Sequence, residues 1–402
     1  MKAFVNLSVG ALLVGSASAS APRATPETEA SLDKIVSESV DRFAFGSCIR
    51  QSLPQHVWDS INDYDPDVFV WLGDNIYADS PRPRGGSDEA NARIVLDRMK
   101  PLYDAQDVIP AYRELKRNAL VCGTLDDHDF GINDAGVEFV GKQESQGHFY
   151  DFFDEPSVSE ARDTEGVYGS YTFGESGRRV QLIILDTRYF RSSLVRGEND
   201  RSGWVNGYPG SYLPNNDPEA TILGDAQWAW LEARLEELAD LRLIATSIQF
   251  VANDHRFEKW GNIPHERRRL CKLISDTGAN GVVFLSGDRH SAEISALDPT
   301  RAESGAFADV GYPLYDITAS ALTNSSPTTF EEQQASRRPR PVVFGHEVNR
   351  HRIGSQIRYN NFGKLEVDWD AEGGPRVTME IRTDRGATLR RNIVTLDELR
   401  PD

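Results

Sequence analysis

The chain has 402 residues, 39% of them hydrophobic, with 62 acidic against 44 basic side chains and a net charge of -18. That length and apolar content suffice for a substantial core in one large α/β domain. The acidity argues against a nucleic-acid-binding surface, which needs clustered Lys and Arg. It suits either plain solubility or a demand for divalent cations.

At the amino terminus, Lys2, the apolar run AFVNLSVGALLVG and the small-x-small triplet Ala17-Ser18-Ala19 read as a secretory signal peptide over residues 1–21, cleaved near Ala19 or Ala21. Residues 22–41 are polar, acidic and Pro-containing, a linker ahead of a folded domain expected over 42–402. No later stretch approaches the ~18 uninterrupted apolar residues of a membrane span. A secreted or periplasmic monomer is expected.

Short apolar runs at 43–47, 67–72, 119–125, 180–186, 243–248 and 282–286 predict buried strands. Helical stretches fall at 54–63, 88–118, 225–241 and 264–277. In 225–241, Trp228, Leu231, Leu235 and Leu238 recur at helical steps and Asp225 is placed to cap the start. Pro264 opens the last helix at a first-turn position. A strand at 312–318 leads into Ser320-Ala321-Leu322-Thr323-Asn324, and 325–345 reads as a surface loop. NFGKLEVDWD and RVTMEIRT alternate apolar and polar residues, an antiparallel hairpin joined through Gly373-Gly374-Pro375 in a β-rich part over 312–395. Strands alternating with helices predict a layered α/β fold, with ligands bound beyond the carboxyl ends of the strands.

Four of the apolar runs stop at metal-ligand side chains. FAFGSC ends on Cys48, VFVWLGDNIY delivers Asp74 and Tyr77, LVCGTLDDHD delivers Asp127, His128 and Asp129, and VVFLSGDRH delivers Asp288 and His290. A carboxylate at Asp74 can bridge two cations about 4 Å apart. A phenolate at Tyr77 suits ferric iron; the alternative is a core aromatic. Cys48 reads as a metal thiolate, with an inert buried thiol or a disulfide as alternatives. Asn133 and Asp134 offer oxygens to a calcium-like cation. His128 is placed to protonate a leaving alkoxide or hold a phosphate oxygen. Glu293 is a candidate to orient the His290 imidazole. Arg50 and Arg188 are candidates for an anionic substrate, or else surface cations. His255 is either a further ligand or substrate contact, or a solvated loop residue. Cys122 and Cys271 read as core residues, with a disulfide between them as the alternative.

FGSC at 45–48, WLGDNIYAD at 71–79, LDDHDFGIND at 125–134, SIQF at 247–250 and LSGDRHSAE at 285–293 together resemble the alkaline phosphatase D family of calcineurin-like metallophosphoesterases. The resemblance implies a four-layer α/β/β/α sandwich with the metals at the strand carboxyl ends. It implies iron held by Cys48, Asp74, Tyr77 and His290, and one or two calcium ions held by Asp74, Asp127, Asn133 and Asp288. Hydrolysis of phosphate mono- or diesters by metal-activated water follows from it, with His128, Arg188 and Arg50 at the phosphate. Three features depart from the family pattern: a preceding β-sandwich, a twin-arginine signal, and a carboxyl-terminal lid helix find no counterpart, the last in residues 385–402. A related hydrolase acting on a pyrophosphate or phospholipid bond, or a non-catalytic calcium-binding protein, are the alternatives. Calcium has no use for the Cys48 thiol.

Overall fold

The computed structural model describes residues 39–401, apart from 84, 199–203, 206–207, 301–306, 308 and 327–346. The signal segment, most of the linker and most of the 325–345 loop lie outside the described residues. Among these residues, no helix is long and apolar enough to cross a membrane.

Twelve of the described strands build two six-stranded sheets. In chain order they are β1 (Arg42–Gly46), β2 (Val68–Leu72), β3 (Leu120–Thr124), β4 (Gly169–Phe173), β5 (Val180–Ile184), β6 (Leu241–Ala245), β7 (Val282–Ser286), β8 (Ala292–Leu297), β9 (Leu314–Ala319), β10 (Asn361–Asp368), β11 (Arg376–Thr383) and β12 (Thr388–Thr395). The first sheet runs β12-β11-β10-β1-β2-β3 and the second β8-β9-β7-β6-β5-β4. Each sheet has a parallel part, β1, β2 and β3 at one end of the first sheet, and β5, β6, β7 and β9 in the middle of the second. The helices are α1 (Val57–Tyr64), α2 (Asp88–Asp107), α3 (Pro110–Asn118), α4 (Asp127–Phe130), α5 (Lys142–Phe152), α6 (Gly224–Leu235) and α7 (Pro264–Asp276).

The period of two along a strand explains the layering. Phe43, Phe45, Val68, Val70 and Leu72 share one core with Leu182, Leu243 and Val283 of the second sheet. The intervening Ala44, Phe69 and Trp71 pack instead with Trp58, Val95, Tyr112 and Leu115 of α1, α2 and α3. Strands β5, β6 and β7 are buried at every position, and Trp228, Leu231, Leu270 and Ile274 of α6 and α7 join their core. The result is the expected α/β/β/α sandwich. Trp71 is fully buried with ring centroids of Trp58 and Phe69 at 5.3 and 5.4 Å. Trp71→Ala is expected to lower the unfolding free energy by about 3–5 kcal/mol; a denaturant titration with a change under about 1 kcal/mol would contradict this packing.

The six strands read from the sequence recur with ends within three residues, the largest shift at 243–248, which forms as Leu241–Ala245. The carboxyl-terminal hairpin forms as β10 and β11, antiparallel, and joins the first sheet because β10 pairs with the free side of β1. The expected connection 88–118 divides at Val108 and Ile109, where Pro110 starts a new helix. The helix expected to reach 241 ends at Leu235, and Leu238 is 79% exposed. Asp225 lies in its first turn; the Thr221 hydroxyl accepts the Gly224 N–H there, at 2.9 Å. Strands β4, β8 and β12 escaped the sequence reading: each lies at a sheet edge, and β4 and β12 lack a continuous buried run. Residues beyond 385 form β12 and a short 3-10 turn at Asp397–Leu399.

Candidate metal centre

Both sheets end at one edge, and the backbone there is contorted. Cys48, Asp74, Asp288 and His290 all take left-handed conformations, with φ of 63, 53, 68 and 52°. Such conformations cost roughly 1–3 kcal/mol each and persist only where surroundings enforce them. The enforcing contacts are local hydrogen bonds. The Cys48 carbonyl accepts Thr323 N and Asn324 N, Ile49 N donates to the Asp74 carbonyl at 3.2 Å, and His290 N donates to the Ser320 hydroxyl at 2.9 Å. At Gly287 the two sheets meet closely: a Cβ there would stand 2.7 Å from the Leu72 carbonyl and 2.7 Å from Ser47 Oγ.

Asp74 lies at the centre of the convergence and is 1% exposed. Its Oδ2 accepts from Cys48 Sγ at 3.3 Å and from the Tyr77 hydroxyl at 2.8 Å. The same hydroxyl is 2.9 Å from His290 Nε2. Oδ1 faces the other side, where His128 N donates to it at 3.4 Å. Donor atoms of Cys48, Asp74 and His290 lie within 4.8 Å of one another; so do those of Asp74, Asp127 and His128, and those of Asp126, Asp127 and Asp288. Asp74 is common to the first two groups and Asp127 to the last two.

The electrostatics are those of a crowded anionic pocket. Burial, then the Asp74 carboxylate, push the Cys48 thiol and the Tyr77 phenol well above their ordinary ranges. Burial also lifts Asp74 well up, against the pull of His128 and with Asp127, Asp129 and Asp288 adding to it. Asp288 is raised to about 7, chiefly by burial. His128 rises to about 10: burial opposes its charge, but Asp127, Asp74 and Asp79 outweigh that. The carboxylate oxygens Asp126 Oδ2 and Asp127 Oδ1 are buried and accept no hydrogen bond among the described residues; Asp288 Oδ2 has the Arg289 guanidinium at 3.6 Å. Buried anionic oxygens without partners are costly. Added positive charge would relieve the strain.

Cys48, Asp74, Tyr77, Asp127, Asp288 and His290 therefore come together at this edge. Arg50 lies at its rim, the guanidinium 4.2 Å from the Tyr77 ring centroid and donating to Ser80 Oγ at 3.3 Å. Four expectations are revised by position. Arg188 is fully buried: it pairs with Asp126, and its Nη1 lies 2.7 Å from Glu258. Its donors are taken up by the interior, so it does not face a substrate. The Asn133 amide donates to the Asp134 carboxylate and its backbone N to Asp79 Oδ2 at 3.1 Å; Asp134, with Asp127 and Glu258, forms the neighbouring carboxylate group. Glu293 binds Gln249 at 3.0 Å, Asn349 at 2.7 Å and Arg352, not the His290 ring. His255 is buried with Nε2 on Gln249 and Nδ1 accepting Phe257 N. Cys122 and Cys271 are free buried thiols, as read.

The sequence reading missed Asp79 and Ser320, and it gave Asp129 to the metal, where the structure gives it to the backbone. Asp79 places Oδ1 2.6 Å from His128 Nδ1, though it closes the quoted motif WLGDNIYAD. Asp129 accepts the backbone N–H groups of Asp74, Asn75 and Asp126, tying the ends of β2 and β3 together. Ser320 bridges the Cys48 and His290 segments.

The alkaline phosphatase D of Bacillus subtilis (strain 168) is 26% identical over 140 residues, 33% of this chain and 22% of its own length. The match thus spans about a fifth of that relative. A solved structure described as that of PhoD superposes with a TM-score of 0.58 at 18% identity, covering 89% of this chain and 72% of that one, a likeness of fold. The family profile of the PhoD-like phosphatases matches residues 43–374, most of the chain, and the protein belongs to that family.

Proposed function

We propose that the protein is an exported metal-dependent phosphoesterase acting on phosphate mono- or diesters. The observation that carries this is the sharing of Asp74 between a thiol-phenol-imidazole group and a carboxylate group. The donor chemistry differs on the two sides. Cys48, Tyr77 and His290 with one oxygen of Asp74 suit iron, whereas Asp127 and Asp288 with the other oxygen, helped by Asp134 beside Asp127, suit calcium. The buried Asp127 Oδ1, which accepts no hydrogen bond among the described residues, fits that assignment. When bound, such cations supply Lewis acidity and a nucleophilic water near neutral pH.

The chain's own residues handle the rest. With Nδ1 committed to Asp79, His128 keeps Nε2 for the substrate, where it protonates the leaving alkoxide or holds a phosphoryl oxygen. Arg50 at the rim is the guanidinium placed to meet a phosphate. Export is inferred from Lys2, the apolar run after it and the Ala17-Ser18-Ala19 triplet.

The test is elemental analysis of the purified protein together with hydrolysis of aryl phosphate mono- and diesters. Bound iron and calcium with hydrolysis of either ester class support the reading; metal-replete protein inert toward both contradicts it. His128→Ala is expected to lower kcat about 10²–10⁴-fold. Asp79→Asn should reproduce at least a tenfold part of that with KM little changed; an unaltered kcat in Asp79→Asn would remove Asp79 from the account.

A further inference from the structure

The turn after β9 has no part in the function so far, yet it holds the two ends of the thiol-imidazole group together. Ser320 is fully buried. Its Oγ accepts the His290 N–H at 2.9 Å and lies 3.1 Å from Cys48 Sγ. An oxygen already accepting from His290 N keeps its own proton for another acceptor, and the sulfur is in reach. The Ser47 hydroxyl also lies near the sulfur, but farther, at 3.4 Å. Thr323 N and Asn324 N of the same turn donate to the Cys48 carbonyl. Both residues that Ser320 joins are left-handed, so neither is held by its own backbone preference.

We propose that Ser320 is a positioning and tuning residue for Cys48: its hydroxyl proton, directed by the His290 N–H, is aimed at the sulfur and draws electron density from it. This rests on the reading of Cys48 as a metal ligand. Hydrogen bonds to a ligand sulfur weaken its donation and set the electronic character of the metal it holds. The same bond fixes the sulfur's direction relative to Asp74 and His290, which lie 26 and 242 residues further along the chain.

The test uses full-length protein stripped with a chelator and reloaded with cobalt(II), followed by its sulfur-to-cobalt charge-transfer absorption and by competition with the chelator. Ser320→Ala and Ser320→Gly are expected to keep the band, move it to longer wavelength and weaken cobalt binding about 10–100-fold. Ser320→Thr, which keeps the hydroxyl, should stay near wild type. Cys48→Ser should abolish the band. An unmoved band with unchanged affinity in both Ser320→Ala and Ser320→Gly overturns the role of Ser320 while leaving Cys48 as a ligand. A lowered melting temperature of the metal-free variants with an unmoved band reduces Ser320 to a structural residue and overturns it too. A wild-type band that survives Cys48→Ser overturns the reading of Cys48 itself, and the proposal with it.

Discussion

Replacing Asp74 with alanine is expected to remove phosphoesterase turnover by at least about 10³-fold, which is ~4 kcal/mol of transition-state stabilisation. Its two oxygens serve different neighbours: Oδ2 meets Cys48 and Tyr77, and Oδ1 meets the His128 backbone beside Asp127. One substitution therefore strips a ligand from both proposed cation positions. Asp74→Asn should be nearly as severe, because a neutral amide cannot offset two cations. The fold should survive. Asp74 is a raised, buried carboxyl among like charges, so its loss relieves repulsion, and the metal-free melting temperature should hold or rise. Steady-state kinetics on an aryl phosphate with thermal melts check this; near-wild-type turnover would sink the assignment.

Arg188→Ala is expected to act in the opposite way, with a large loss of stability, about 3–5 kcal/mol. The guanidinium balances two fully buried carboxylates, Asp126 and Glu258, and Arg191 adds a second contact to Glu258 at 3.0 Å. Removing one partner of a buried ionic network leaves uncompensated charge in a medium that solvates it poorly. Arg188→Lys should not rescue it, because an ammonium cannot reproduce the forked contacts to both acids. A residue that gripped the substrate would instead raise KM and leave unfolding unchanged. Denaturant titration beside KM distinguishes the two: a stable Arg188→Ala protein with only a raised KM would restore Arg188 to the substrate.

These two residues show why part of the site was legible in the sequence and part was not. A buried parallel strand announces itself as an apolar run, and the polar residue that ends it must lie at the sheet edge. That logic found Cys48, Asp74, Asp127, Asp288 and His290, because the carboxyl ends of β1, β2 and β3 in one sheet and of β7 in the other meet at one edge of the sandwich. Direction beyond the strand end is decided elsewhere. In Asp126-Asp127-His128-Asp129, one turn of α4 sends Asp126 toward Arg188, Asp127 toward the site and Asp129 back onto three backbone amides. Three neighbouring carboxylates thus take separate fates that composition does not reveal. Arg188 follows β5 much as Arg50 follows β1, yet one is sealed in the interior and the other lies at the rim. Asp79 and Ser320 act through His128, Cys48 and His290, contacts between distant segments that no local pattern encodes.

The central claim is that one carboxylate joins two cation positions of different chemistry, and metal counting in single variants tests it most directly. Protein purified without chelator should carry at least two cation equivalents per chain. Cys48→Ser should lose iron and keep calcium, Asp288→Ala should lose calcium and keep iron, and Asp74→Ala should lose both. If Asp74→Ala retains the full wild-type complement, or Cys48→Ser and Asp288→Ala deplete the same ion, the shared-carboxylate account is contradicted.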